Sequence, residues 1–277
     1  GSEMCIRDRG KLKGMHDMKK VVGSLLMTST ILLGALTPIV GHAADGENRS
    51  GTTNATATFT ANTTNPVDPV DPTDPTKPLD PKPGDGDNGA NSGAGLSLIY
   101  APGKLDFGSH EIDVINNQSY KALTGSDGST VTMGSTSKVG LQVSDQRGTN
   151  AGWTLSVAAA DGTDGNLSTL KGATVSLPAG TVISSGSEAS NGSTGGNGAV
   201  GQAVELDLGS QASTSAGASF TGTTSGNVMT AADKSGAGIT SDLLDPAAVK
   251  LNVVANTAAA TTYKGVLNWT LTSSADN

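Results

Sequence analysis

The sequence is poor in the residues from which most enzyme active sites and metal centres are built. Of its 277 residues one is cysteine, at position 5, and three are histidine. A single thiol allows no internal disulfide and no cysteine-based zinc site, so no metal is expected. His16 and His42 lie close to the N-terminus, which leaves His110 as the one imidazole in the rest of the chain. Aromatic residues make up 3% and charged residues 15%. A net charge of −8 lacks the basic surplus of a nucleic-acid binder, and no nucleic-acid partner is expected. Glycine, by contrast, is abundant at 38 residues. Because short Val/Leu/Ile runs punctuate the glycine-rich stretches, the composition points to β structure with long loops rather than to disorder.

The N-terminal segment is expected to lie outside the fold. Met18-Lys19-Lys20 opens an uncharged, mostly apolar run from Val21 to Val40, followed by Gly41-His42-Ala43. A cationic start, an apolar middle and a small-residue exit are the order of a secretory signal, with cleavage expected after Ala43. Residues 1–17 precede this start and read as a non-native or upstream scar. Residues 1–43 hold six Lys/Arg and three Asp/Glu, so the remainder holds 11 and 22, a net of −11.

Three zones follow. Residues 44–65 are polar, with one alternating patch, Ala55-Thr56-Ala57-Thr58-Phe59-Thr60, that reads as a short strand in need of a partner sheet. Residues 66–95 read as a linker. Prolines fall at every third position from Pro66 to Pro81, the period of a polyproline II helix. With Asp68, Asp71, Asp74 and Asp80 along another edge, they make either a stiff spacer or a docking strip. Residues 84–95 read as a flexible joint. The last zone, 96–277, is long enough for one domain.

Strand signals in that domain fall near 96–101, 104–108, 138–145, 152–158, 173–177, 202–208, 249–255 and 262–272. Val139, Leu141 and Val143 alternate, as do Val249, Leu251 and Val253. No helical stripe of comparable length appears. The expected fold is all-β, an antiparallel β-sandwich with long Gly/Ser/Thr-rich loops behind a polyproline-type linker. Residues 184–240 read as surface excursions or a poorly ordered insert.

The two tryptophans of the chain stand in the same tripeptide, Trp153-Thr154-Leu155 and Trp269-Thr270-Leu271. Each closes a strand–turn–strand unit, 138–157 and 250–273. By strand period Trp and Leu share one face while Thr points to the other. In the second unit Tyr263, Leu267, Trp269 and Leu271 share a face, opposite Lys264, Asn268, Thr270 and Thr272. The indoles suit a sandwich core, where each buries ~200 Å². Exposed, they would stack on sugar rings. Asp145 and Arg147, with Gly148 beside them, suit a turn held by an ion pair.

The segments GWTLSV (152–157) and YKGVLNWTLTSS (263–274) resemble the WxL-domain family of Gram-positive cell-surface proteins. So do the turn Asp145-Gln146-Arg147-Gly148, the LDFG of 105–108 and the Pro/Asp repeat behind a Thr-rich segment. The likeness runs from about Thr52 to the C-terminus, with 184–240 left unaligned. It implies a secreted protein that attaches non-covalently to the cell wall, through peptidoglycan, beside wall- or membrane-anchored surface proteins and other WxL proteins. The residues it places in wall or partner binding are Trp153, Thr154, Leu155, Trp269, Thr270 and Leu271, with Asp145, Arg147 and Gly148 as the supporting turn. The alternative is an adhesin or assembly subunit that binds an anchored protein partner or a host surface protein.

No catalytic constellation accompanies these motifs. His110 has no nucleophile motif beside it. The acidic loops at 85–88 and 161–166 lack the closing glutamate of a calcium loop. No cofactor and no enzymatic activity are expected. A C-terminal sorting motif and apolar tail are also missing from the sequence, so wall attachment is expected to be non-covalent or through a partner.

Overall fold

The computed structural model describes residues 51–79, 86–185, 198–208, 220 and 222–274. Residues 1–43, with the expected leader, lie outside this set. Among the described residues there is no α-helix, and no helix long and apolar enough to cross a membrane. The strands, numbered along the chain, form antiparallel sheets. Strands β1 (Val70–Asp71) and β2 (Asp74–Pro78) make a hairpin. One four-stranded sheet runs β3 (Leu96–Tyr100), β5 (Val139–Asp145), β12 (Gly238–Leu244), β8 (Thr181–Ser185). A second runs β10 (Val204–Asp207), β7 (Thr174–Leu177), β13 (Lys250–Val253), β4 (Gln118–Lys121). The third runs β14 (Val266–Ser273), β6 (Trp153–Ala160), β11 (Ser225–Ala231), β9 (Ala199–Gly201). This is the sandwich-like all-β fold that the alternation predicts.

One apolar core joins the three larger sheets. Val139, Leu141 and Val143 come from β5, Trp153, Leu155 and Val157 from β6, and Val175 and Leu177 from β7. In each case residues two apart point to the same side, as the pleat requires. A smaller cluster of Leu79, Tyr100, Met133 and Leu243 lies apart from it.

The hairpin differs from the continuous polyproline strip expected over 66–83. Asp71 Oδ1 accepts hydrogen bonds from Thr73 N at 2.8 Å and Thr73 Oγ1 at 2.6 Å, an Asx turn that reverses the chain. The hairpin then docks on β5: Val70 N donates to Gln142 Oε1 at 2.9 Å, and Gln142 Nε2 donates to Val70 O at 3.0 Å. Residues 86–95, expected to be a flexible joint, are likewise tied down. Asn88 is buried and its Nδ2 donates to Ile99 O at 3.1 Å.

Three further expectations change. Residues 55–60 pair with nothing among the described residues and are exposed throughout. Residues 104–108 form no strand; two widely spaced backbone bonds, Val131 N to Lys104 O and Leu123 N to Asp106 O, hold them in place. Within 184–240, β11 and β12 are internal strands rather than excursions. Their inward positions carry Thr240, Asp242 and Ala231 beside Met229 and Leu244, too mixed a set to register as an apolar stripe.

Candidate functional site

The two Trp-Thr-Leu tripeptides lie side by side. β14 pairs antiparallel with β6 along its whole length, with Trp269 opposite Val157, Leu271 opposite Leu155 and Ser273 opposite Trp153. The inward row therefore combines Trp153, Leu155 and Val157 with Leu267, Trp269 and Leu271. The outward row places Thr154 opposite Thr272 and Ser156 opposite Thr270, with Asn268 next along β14. On the other side of β6, Thr230 of β11 stands opposite Thr154. Two hydroxyls also bond across the pair, Ser156 Oγ to Thr270 O and Thr272 Oγ1 to Thr154 O, each at 3.3 Å. The result is a sheet face of hydroxyls and an amide, without a charged group among these residues.

The two indoles differ despite their identical tripeptides. Trp153 is fully buried, and its Nε1 donates to Gly236 O at 3.0 Å. Gly236 makes room for it, and Gly152, just before it in the chain, lets the start of β6 approach the end of β11. Gly236 has φ +82°, and a Cβ there would stand 2.4 Å from Trp153 Nε1. Gly152 has φ +71°, and a Cβ there would meet Ala231 O at 2.5 Å. Trp269 is only half-buried, because β14 is an edge strand and no strand among the described residues pairs with its outer flank. Leu155 is buried and Leu271 half-buried, while Thr154 is half-exposed and Thr270 exposed.

The turn after β5 fastens both motifs. The Arg147 guanidinium grips Asp145 with Nε to Oδ1 at 2.9 Å and Nη2 to Oδ2 at 2.8 Å. Nη2 also donates to Gly152 O at 2.9 Å, the carbonyl just before Trp153. Nη1 reaches the Ser273 hydroxyl at the end of β14. Gly148, at φ +73° and with open space around it, lets the chain turn back. The Asp145 side chain is 1% exposed, so the pair is a structural clamp rather than an open ligand site. Arg147→Ala is expected to cost about 2 kcal/mol, since it strands a buried carboxylate while the partly exposed site still admits water. Arg147→Lys keeps the charge but not the planar fork and is expected to recover only roughly half of that. Urea unfolding midpoints measure both; an unchanged midpoint for Arg147→Ala would show that the clamp is idle.

His110, the remaining imidazole, stacks on Tyr120 with ring centroids 3.6 Å apart and sits on the surface. Asp161, in the second acidic loop, accepts a bond from Ser168 N at 2.6 Å and another from its hydroxyl. These bonds hold its carboxyl below the usual range. Among the described residues no group of three or more His, Cys, Asp or Glu is placed to hold a metal. Sequence reasoning missed Ser156, Thr230 and the reach of Arg147 to β14. The strand period contained the first, whereas the other two depend on which strands become neighbours.

With this geometry in place, comparison with known proteins identifies the class. Residues 46–274 match the WxL domain, described as surface cell wall-binding. The chain belongs to that family and is a cell-surface protein that binds the cell wall. No curated protein and no solved structure matches it.

Proposed function

We propose that the protein is an exported, non-enzymatic surface protein that holds to peptidoglycan non-covalently through the outward face of β6 and β14. One observation carries this reading: the pairing of the two motifs sets the exposed Asn268, Thr270 and Thr272 beside the half-exposed Thr154 and Ser156. A flat row of hydroxyls and an amide suits glycan hydroxyls and acetamido groups, which offer donors and acceptors at similar spacing. An uncharged face also suits a chain whose net charge of −8 disfavours binding to anionic wall polymers by bulk attraction. Trp153 and Leu155 support this face from beneath, with half-buried Trp269 on the same inward side at the sheet edge.

Pelleting with protein-stripped Gram-positive walls tests the proposal. Thr154→Ala combined with Thr270→Ala removes two outward hydroxyls and no core atoms. The wall-bound fraction is expected to fall roughly tenfold in affinity, the equivalent of about 1.4 kcal/mol. Retention of full binding by the double variant would move the contact away from this face. Failure of the folded wild-type chain to pellet would remove direct peptidoglycan binding.

A further inference from the structure

Among the described residues there is a strand-patterned segment without a sheet and a sheet edge without a neighbouring strand. Residues 51–60 are exposed without exception, and Phe59 is 73% exposed. Among the described residues no hydrogen bond ties residues 54–60 to the sheets; the first anchor is Asn62, whose N donates to Gln146 O at 3.3 Å. The stretch nevertheless has the pattern of a half-buried strand. Ala55, Ala57, Phe59 and Ala61 fall on one face, and Thr56, Thr58 and Thr60 on the other.

The matching edge is β14. It is the longest edge strand among the described residues, at eight residues, and it pairs with β6 without a bulge. It contains no charge and no proline, the usual devices that keep an edge strand from pairing. Along its free flank, alternate residues turn their N–H and C=O groups outward. Its inward row of Leu267, Trp269 and Leu271 is half-buried, and its outward row is Asn268, Thr270 and Thr272. An added strand with apolar residues on one face and threonines on the other would cover the first row and continue the second.

We propose that residues 54–61 of a second copy of this chain add as an antiparallel strand to the free edge of β14. The tether at Asn62 decides against the same copy. Asn62 is held beside Gln146, and the adjacent Arg147 bonds Ser273, at the C-terminal end of β14. Antiparallel addition needs residue 61 beside Val266, at the other end of the strand, about 23 Å away. A copy's own segment reaches only the parallel arrangement, which is the weaker pairing. Donor and acceptor are different surfaces, so each copy can give one strand and take another.

The test is sedimentation of the purified chain over a range of concentrations, with amide hydrogen exchange on the same samples. The wild type is expected to associate as concentration rises, with residues 55–60 becoming protected. Phe59→Asp disables the donor and Val266→Lys guards the acceptor edge; both positions are exposed, so the fold is retained. Each variant alone is expected to stay monomeric. Their mixture is expected to form one-to-one pairs, because one supplies a sound edge and the other a sound donor. Overturning results are a wild type that stays monomeric, association that survives Phe59→Asp, or protection of 55–60 within a monomer.

Discussion

Replacing Trp153 by alanine is expected to destabilise the domain by about 3–5 kcal/mol, while Trp269→Ala is expected to cost roughly 1–2 kcal/mol. The sequence around the two residues is nearly the same, so the difference comes from position in the sheet. Trp153 sits on an internal strand, wholly buried, with its ring N–H bonded to Gly236 O. Its removal leaves a cavity that the glycine-lined walls cannot fill and orphans the Gly236 carbonyl. Trp269 sits on the edge and already meets solvent, so water enters the space it leaves. Trp153→Phe keeps most of the volume and isolates the lost hydrogen bond, at about 1 kcal/mol. Urea unfolding followed by far-UV circular dichroism measures all three. Equal losses for the two alanine variants would mean that burial does not distinguish the motifs.

Asp242→Asn is expected to stabilise the domain at neutral pH, by up to about 4 kcal/mol. Asp242 lies on the inward face of β12, opposite Leu141 of β5 and Val182 of β8, and is 1% exposed. Among the described residues no donor makes a well-formed hydrogen bond to either carboxylate oxygen, the Leu243 amide offering only a weak contact. Two glycines press against it: a Cβ at Gly180 would meet Asp242 Oδ1 at 2.1 Å, and one at Gly201 at 3.0 Å. Burial pushes its pKa up to about 7, and the neighbouring Leu243 amide offsets this only in part. In the unfolded chain the group ionises near 3.8. Between those two values the unfolded state loses a proton that the folded state keeps. The stability present below pH 4 is therefore lost as pH rises toward 7, and no more is lost beyond it. Asparagine is neutral in both states and removes that slope. The measurement is the unfolding free energy of both proteins from pH 4 to pH 8. Parallel curves would exclude Asp242 as the source of the slope.

Most of the sandwich is legible in the sequence wherever apolar residues alternate. β3, β5, β6, β7, β10, β13 and β14 all fall where Val, Leu, Ile or Trp recur at every second position. β11 and β12 escape because their inward side chains include Thr240, Asp242 and Ala231, and a glycine or serine between them carries no pattern. β4, β8 and β9 are short, and their pairing depends on neighbours distant in sequence. The candidate site is legible to the same depth. Period 2 separates Thr154 and Thr270 from the indoles, but it cannot say that β6 becomes internal and β14 an edge. That single topological fact buries one tryptophan and exposes the rim of the other. The Arg147–Asp145 pair is readable from its spacing, whereas its hold on Gly152 and Ser273 requires both strands to be in place first.

The pairing of β6 with β14 also sets when the domain can form. Thr154 and Thr272, opposite each other in that ladder, are 118 residues apart in the chain. Ladders closed over such separations form slowly, because the entropy of the intervening loop is lost before the contacts are gained. The sheet that carries both motifs stays open until its last strand has been made and released.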